Sequence, residues 1–158
     1  MSMEYHTIKP YYRNDSQVLI LGSFPSVKSR AEGFYYAHPQ NRFWKVLENL
    51  FDEKIEDKKE FLKVHHIALF DVCASCEIKG SSDASIKEVV PNDIKKIIKN
   101  SQIKIIFLNG KTAANLYKKY IKNIEVPSIA LPSTSPANAT INLEKLIEEY
   151  KIIKKFTK

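Results

Sequence analysis

Four short apolar runs constrain this chain more than any other feature: Val18-Leu19-Ile20-Leu21, Ile67-Ala68-Leu69-Phe70, Ile103-Lys104-Ile105-Ile106-Phe107-Leu108 and Val126-Pro127-Ser128-Ile129-Ala130-Leu131. None alternates strictly between apolar and polar residues, as a strand with one wet face would. Such runs belong to strands covered on both faces. The fourth is the least regular, because Pro127 has no N–H to donate and belongs at a strand start or a sheet edge. Helical stripes lie between the runs. Phe43, Val46, Leu47, Leu50 and Phe51 fall at i, i+3, i+4, i+7 and i+8, and Ala113, Leu116, Tyr117, Tyr120 and Ile121 repeat that spacing. Shorter stripes run through Ile94, Ile97 and Ile98 and through Leu143, Leu146, Ile147 and Tyr150. Strands alternating with amphipathic helices predict an α/β fold, a three-layer α/β/α sandwich around a central, mostly parallel four-stranded sheet. The 158 residues are 44% apolar and 27% charged, enough to bury one core. No repeat, low-complexity tract or Gly/Ser linker divides them, so one domain over 1–158 is expected.

In a parallel sheet, right-handed crossovers bring the C-terminal ends of the strands to one edge, where open α/β sheets bind ligands. The four exits read Gly22-Ser23-Phe24-Pro25-Ser26, Asp71-Val72-Cys73, Asn109-Gly110-Lys111 and Pro132-Ser133-Thr134-Ser135-Pro136-Ala137-Asn138. All are rich in small, turn-forming or polar residues, so a site is expected where they converge. The segment after the first run, from Ser23 to about Gln40, is long for a loop, and loops of that length are usually functional. It carries Phe34, Tyr35 and Tyr36. Adjacent aromatics on a loop can stack on a flat base, an interaction worth about 1–3 kcal/mol. They can equally pin the loop to the body of the protein.

Several chemistries lack their residues. Gly-x-Gly-x-x-Gly is absent, and Asn109-Gly110-Lys111-Thr112 lacks the upstream glycine of a phosphate-binding loop. No Gly-x-Ser-x-Gly nucleophile elbow appears. His65 and His66 are adjacent and cannot face the same way. Cys73 and Cys76 have redox spacing, but no second pair completes a four-cysteine metal site. They also follow a second strand rather than opening a thioredoxin-like domain. No metal or other cofactor is expected. No apolar run approaches 18 residues, so no membrane span is expected either. The segment Met1-Ser2-Met3-Glu4-Tyr5-His6 lacks the basic-then-apolar pattern of a secretory signal, and two cysteines make no disulfide scaffold. A reducing, cytoplasmic location is the expectation. Charge is more informative. Lys and Arg total 25 against 18 Asp and Glu, a net +7. Residues 1–80 carry 11 basic and 11 acidic side chains, whereas 81–158 carry 14 and 7. A basic half suits a polyanion such as nucleic acid, although a surface that simply uses Lys would look the same.

The exits also carry a likeness. Gly22-Ser23-Phe24-Pro25-Ser26, then Gly33-Phe34-Tyr35-Tyr36-Ala37-His38-Pro39-Gln40-Asn41-Arg42-Phe43-Trp44, then Leu131-Pro132-Ser133-Thr134-Ser135-Pro136-Ala137-Asn138 resemble the uracil-DNA glycosylase superfamily. The match is closest to its hypoxanthine (deoxyinosine) DNA glycosylase branch, with the mismatch-specific uracil/thymine glycosylases as near relatives. Phe107-Leu108-Asn109-Gly110-Lys111 also fits, and the likeness extends from about Val18 to Tyr150. The resemblance implies a monofunctional DNA glycosylase of base excision repair, acting on double-stranded DNA. It would flip out a deaminated base, hypoxanthine first, and hydrolyse the N-glycosidic bond.

The resemblance also implies roles. The mismatch-specific relatives carry their catalytic Asn in the middle of the first pentad. Here that position is Phe24, which can neither orient water nor hydrogen-bond a base. By position in the hypoxanthine branch, the catalytic role falls to Asn41, whose carbonyl and amide would orient the attacking water. Read on its own, Asn41 is the N-cap of a helix starting near Arg42. Tyr36 would stack on the flipped base, and Gly22, Ser23, Phe24 and Asn109 would line its pocket. Pro25, Ser26, Lys111, Ser133, Thr134 and Ser135 would contact DNA, the serine-rich loop gripping phosphates, with lysines of the second half flanking that loop. His38 would tie the long loop in place or act as an electrophile near the base. A monomer is expected. The alternatives are a mismatch-specific uracil-DNA glycosylase, a non-catalytic nucleic-acid-binding module of the same fold and, more remotely, a Cys-x-x-Cys redox protein.

Overall fold

The structure, a computed structural model, describes residues 2–157. The four apolar runs become the four strands of one sheet, shifted at their ends by a residue or two. In chain order the elements are β1 (Ser2–Tyr5), β2 (Val18–Gly22), α1 (Val27–Glu32), α2 (Phe43–Phe51), α3 (Lys58–His65), β3 (Ile67–Asp71), β4 (Cys73–Lys79) and β5 (Ser82–Pro91). There follow α4 (Ile94–Lys99), β6 (Ile105–Asn109), α5 (Lys111–Tyr120), β7 (Ser128–Leu131), α6 (Leu143–Tyr150) and a short 3-10 turn, Lys151–Lys155.

The sheet order is β3-β2-β6-β7, and every pairing is parallel. Every residue of β2, β3 and β6 is buried, which explains their unbroken apolar runs. Leaving β2, the chain goes first to β3 on one side and later to β6 on the other. That reversal between β2 and β6 is a topological switch point, the place where such sheets open a crevice at their strand ends. Register aligns the exits: Gly22 sits opposite Asp71, and Asn109 opposite Leu131. Pro127 lies just before β7 at the sheet edge. Its carbonyl accepts from the Ile106 N–H at 2.9 Å, and strand pairing resumes at Ser128, the first residue with an N–H to donate.

The helical stripes face the core as their spacing requires. In α2, Phe43, Val46, Leu47 and Leu50 are buried, and the helix packs against α6. The segment from Ser23 to Gln40 is not an unbroken loop. It contains α1, a six-residue helix capped by the Ser26 hydroxyl, which accepts from the Ser29 N–H, and ended by Gly33 in the left-handed region.

A second sheet has no counterpart in the sequence reading. It is antiparallel, in the order β1-β4-β5. β5 is mostly exposed or half-buried, and its pairing with β4 is interrupted by register shifts, so neither strand shows a clean alternation. Beneath it lies a small apolar cluster of Phe24, Cys73, Cys76 and Ile78. The turn between β4 and β5 is drawn back to the body by Arg30, which donates to the Gly80 carbonyl, and by the Val27 N–H, which donates to Ser81 at 2.9 Å.

Ile20 is fully buried at the centre of β2. Ile20→Ala is expected to cost about 2–5 kcal/mol of folding free energy, from lost transfer energy plus the cavity left behind. Denaturant titration of the two proteins measures it.

Candidate active site

The strand exits open into a cleft of about 700 Å³, within the usual size range of small-molecule sites. All twelve residues singled out in the sequence line it: Gly22, Ser23, Phe24, Pro25, Ser26, Tyr36, Asn41, Asn109, Lys111, Ser133, Thr134 and Ser135. His6, Asp71, Asp83 and Arg42 build the site with them and carried no assigned role.

On the side of β6 and β7, three polar side chains orient one another. The Thr134 N–H donates to Asn109 Oδ1 at 3.0 Å, so that oxygen must be the acceptor end of the amide. The other end, Nδ2, then donates to Thr134 Oγ1 at 3.1 Å. The threonine proton is thereby directed to Asn41 Oδ1, at 2.8 Å. That same oxygen accepts from the Phe43 N–H at 3.0 Å. Two donors fill the Asn41 carbonyl, and what the residue offers the cleft is its amide N–H₂. This corrects the expectation that the carbonyl orients water. It also corrects the helix reading: the N-cap of α2 is Arg42, and Asn41 satisfies the next free N–H from one residue further out. Thr134 is 0% exposed and committed to this chain of bonds, so it is not a phosphate-gripping hydroxyl as expected; Ser133 and Ser135 flank it at the cleft wall. Arg42 secures the same loop. Its guanidinium donates to the carbonyls of Ser135, Asn138 and Ile141. The only sequence signal for it was its place in the specific segment, between Asn41 and Phe43.

On the side of β2 and β3 the cleft has carboxyl groups. Asp71, 3% exposed at the end of β3, lies 2.8 Å from His6 Nε2. Asp83, at the start of β5, accepts from the Ser23 hydroxyl at 2.8 Å through Oδ1, leaving Oδ2 without a protein partner. The proton of the Ser23 hydroxyl is therefore committed to that carboxyl. Burial pushes the Asp83 carboxyl above the ordinary aspartate range, the Ser23 hydroxyl pulls it back, and nearby Asp71 adds to the rise. Gly80-Ser81-Ser82, a turn signal just before Asp83, was the one hint that a hairpin could bring it here.

Tyr36 joins the two sides. Its backbone is left-handed, with φ at 55°, a conformation uncommon for a bulky residue and often kept at functional sites. One face of its ring stacks on Phe43, with centroids 4.0 Å apart. Its hydroxyl is buried beside Asn109 with no partner in hydrogen-bond geometry. Gly22 makes room for this arrangement: a Cβ there would stand 2.5 Å from Asp71 Oδ1 and 3.2 Å from the Tyr36 hydroxyl. The other aromatics of the segment hold it down. Tyr35 is buried, its hydroxyl donating to the Lys9 carbonyl at 2.8 Å, and Phe34 stacks on Trp44. His38 Nδ1 accepts from the Gln40 N–H at 3.1 Å, a local turn contact that suits the tying role.

The basic half is distributed differently from expectation. Among the described residues, Lys111 is the one lysine lining the cleft. Lys118 and Lys119 lie in the last turn of α5, which runs back from the strand exits, and the Lys104 N–H bonds Gln17 at the opposite edge of the sheet. Phe24 lies at the cleft but sends its ring into the apolar cluster with Cys73 and Cys76. Both thiols are free and buried, and burial pushes both above the ordinary cysteine range.

Three comparisons with known proteins bear on the family and the fold. The family model described as the uracil DNA glycosylase superfamily matches residues 9–156. A protein of Methanosarcina acetivorans named hypoxanthine DNA glycosylase is 33% identical over 132 residues, covering 78% of this chain and 82% of the relative. One of the same name from Methanosarcina barkeri is 29% identical over 143 residues, covering 86% and 89%. A solution NMR structure of a Methanosarcina acetivorans protein assigned to the uracil DNA glycosylases superimposes with a TM-score of 0.79 at 25% identity, over 97% of this chain and 99% of that one.

Buried thiols of raised pKa present little thiolate, the form that reacts. In native protein at mildly alkaline pH, Cys73 and Cys76 are expected to label at least about tenfold more slowly than in denaturant. Equal rates would mean that the pair is open to redox chemistry.

Proposed function

The chain belongs to the uracil DNA glycosylase superfamily, and on that footing we propose that it releases hypoxanthine from double-stranded DNA by hydrolysing the N-glycosidic bond. The observation that carries the reading is the Asn41 amide. Its carbonyl is locked by Phe43 and Thr134, and its N–H₂ is left for whatever enters the cleft.

The target base is stacked inside a duplex and must be flipped out, at a cost of a few kcal/mol that is smaller for a mispaired lesion. The cleft, of about 700 Å³, is large enough to take it. Tyr36, its ring held against rotation by Phe43, lines the pocket with its hydroxyl end. Ser133 and Ser135, on a loop fixed by Arg42, are placed to meet phosphates with small hydroxyl groups, which allow close approach to a backbone. Lys111 adds a positive charge at the same edge.

In the reaction the bond between the sugar C1′ and the base nitrogen breaks, and its electron pair leaves with the base. The sugar gains oxocarbenium character, which the neighbouring phosphates help to stabilise. A water oxygen then bonds C1′, and the proton it sheds ends on the departed base, which is released as neutral hypoxanthine. An amide is no base at neutral pH, so Asn41 does not take that proton. It donates hydrogen bonds to the charge growing on the departing base, already aligned before the bond breaks and so needing no reorganisation. No cofactor enters this scheme.

Asn41→Ala is expected to fold and to lose about 10²–10³ of the single-turnover rate on an inosine duplex, the usual loss for a preorganised donor. Strand breaks after alkali treatment read the rate. A rate near that of the parent would sink the assignment, and a parent protein that binds inosine DNA without producing breaks would be a binding module. For Tyr36→Ala the expected loss falls on catalysis far more than on affinity for undamaged duplex. Equal losses in both measurements would make Tyr36 structural only.

A further inference from the structure

Deamination of adenine changes one edge of the base. The amino group at C6 becomes a carbonyl, and the ring nitrogen N1, an acceptor in adenine, becomes an N–H donor. A site that tells the two apart must offer an acceptor to the new N–H and a donor to the new carbonyl. The cleft holds both where β2 ends, one tethered at Ser23 and the other beside Gly22. Asp83 Oδ2 has no protein partner, while Oδ1 is tethered by Ser23. The Tyr36 hydroxyl, near Gly22 and Asn109, is buried with no partner in hydrogen-bond geometry. A buried hydroxyl without a partner is unfavourable. It therefore marks a place where a ligand atom completes the structure.

We propose that Asp83 is the specificity-determining residue of the cleft, accepting the ring N–H of a deaminated base while the Tyr36 hydroxyl donates to the adjacent carbonyl. The assignment rests on the glycosylase reading and names what that reading leaves open, the feature shared by the bases accepted. That feature is a lactam edge, an N–H beside a C=O. Adenine and cytosine present a bare ring nitrogen to the carboxylate, a meeting of two acceptors that is repulsive. The cleft is divided to suit. Acceptors stand on the β2–β3 side, and the Asn41 and Asn109 amides stand opposite. Asp71 is less available for the role, being 3% exposed and joined to His6. A half-buried carboxyl beside a second one is unfavourable by itself, and a substrate donor that compensates it accounts for its place in the cleft.

The test separates recognition from reaction by measuring binding. Duplexes carrying hypoxanthine or unsubstituted purine, each on a 2′-fluorinated sugar that resists hydrolysis, are titrated with the parent protein, Asp83→Asn and Tyr36→Phe. Purine has neither the N–H nor the carbonyl. The ratio of the two dissociation constants therefore isolates the lactam edge and is unaffected by a fraction of misfolded protein. The parent is expected to favour hypoxanthine, Asp83→Asn to lose at least about tenfold of that preference because it removes a charged acceptor, and Tyr36→Phe about threefold because it removes a neutral donor. Tyr36→Phe removes only an oxygen that bonds nothing in the protein, so its fold is expected intact even if Asp83→Asn proves unstable. An unchanged ratio in a folded variant overturns the assignment. So does an equal loss for both bases, which would make Asp83 structural or a holder of water. Release of hypoxanthine from ordinary inosine DNA is assayed alongside: a parent protein without it overturns the functional reading, whereas an active parent with an unchanged ratio overturns this inference alone.

Discussion

Asn109, Thr134 and Asn41 come from three separate parts of the chain, and a single line of hydrogen bonds joins them at the end of the parallel sheet. Its direction is forced at both ends by backbone N–H groups, which can only donate. The N–H of Thr134 sets Asn109, Asn109 sets the threonine hydroxyl, and that hydroxyl meets Asn41 together with the N–H of Phe43. No amide in the line can turn over without leaving a donor facing a donor. Arg42 adds three carbonyls of the same loop to the assembly. The Asn41 amide is thus held by the fold before any ligand arrives, the preorganisation that its proposed role requires.

The opposite wall is built at a cost in stability. Two carboxyl groups face one cleft, a tyrosine holds a left-handed backbone, and its hydroxyl is buried without a partner. Each of these would be relieved by a duller residue. Sites that must bind a polar substrate commonly retain such features, because a group already satisfied by the protein has nothing left to offer a ligand. Gly22 belongs to the same compromise: the tight approach of Asp71 and Tyr36 leaves no room for even a methyl group there.

Much of this was legible in one dimension. The strands were visible because β2, β3 and β6 are buried on both faces and so carry no polar interruptions. The stripe of α2 was visible because one face of a helix repeats every three to four residues. The residues of the site could be named because parallel strands must all point their exits the same way. β4 and β5 were not visible. Register shifts and a wet face blur their pattern, and Asp83 arrives only through the hairpin they form. His6 was equally hidden, since β1 reaches the cleft by pairing with β4, about seventy residues away in sequence.

Individual roles were harder to read than membership of the site. Thr134 and Ser133 both border the cleft and look alike in sequence, yet the threonine is buried and bonded to Asn109 and Asn41 while Ser133 stays partly exposed. The lysines of the second half make a clear signal in composition, but a helix returning from the strand exits carries most of its charge away from the site, leaving Lys111 at the edge. The amino-acid sequence alone determined the parallel sheet and the edge where the site lies, because burial and the alternation of strand and helix are written in local patterns, and the likeness of one segment to a family named the amide expected to act there. Only the tertiary structure decided which atoms of those residues remain free. Hydrogen-bond partners are assigned in three dimensions, and a carbonyl already filled by two donors looks the same in sequence as one that is open.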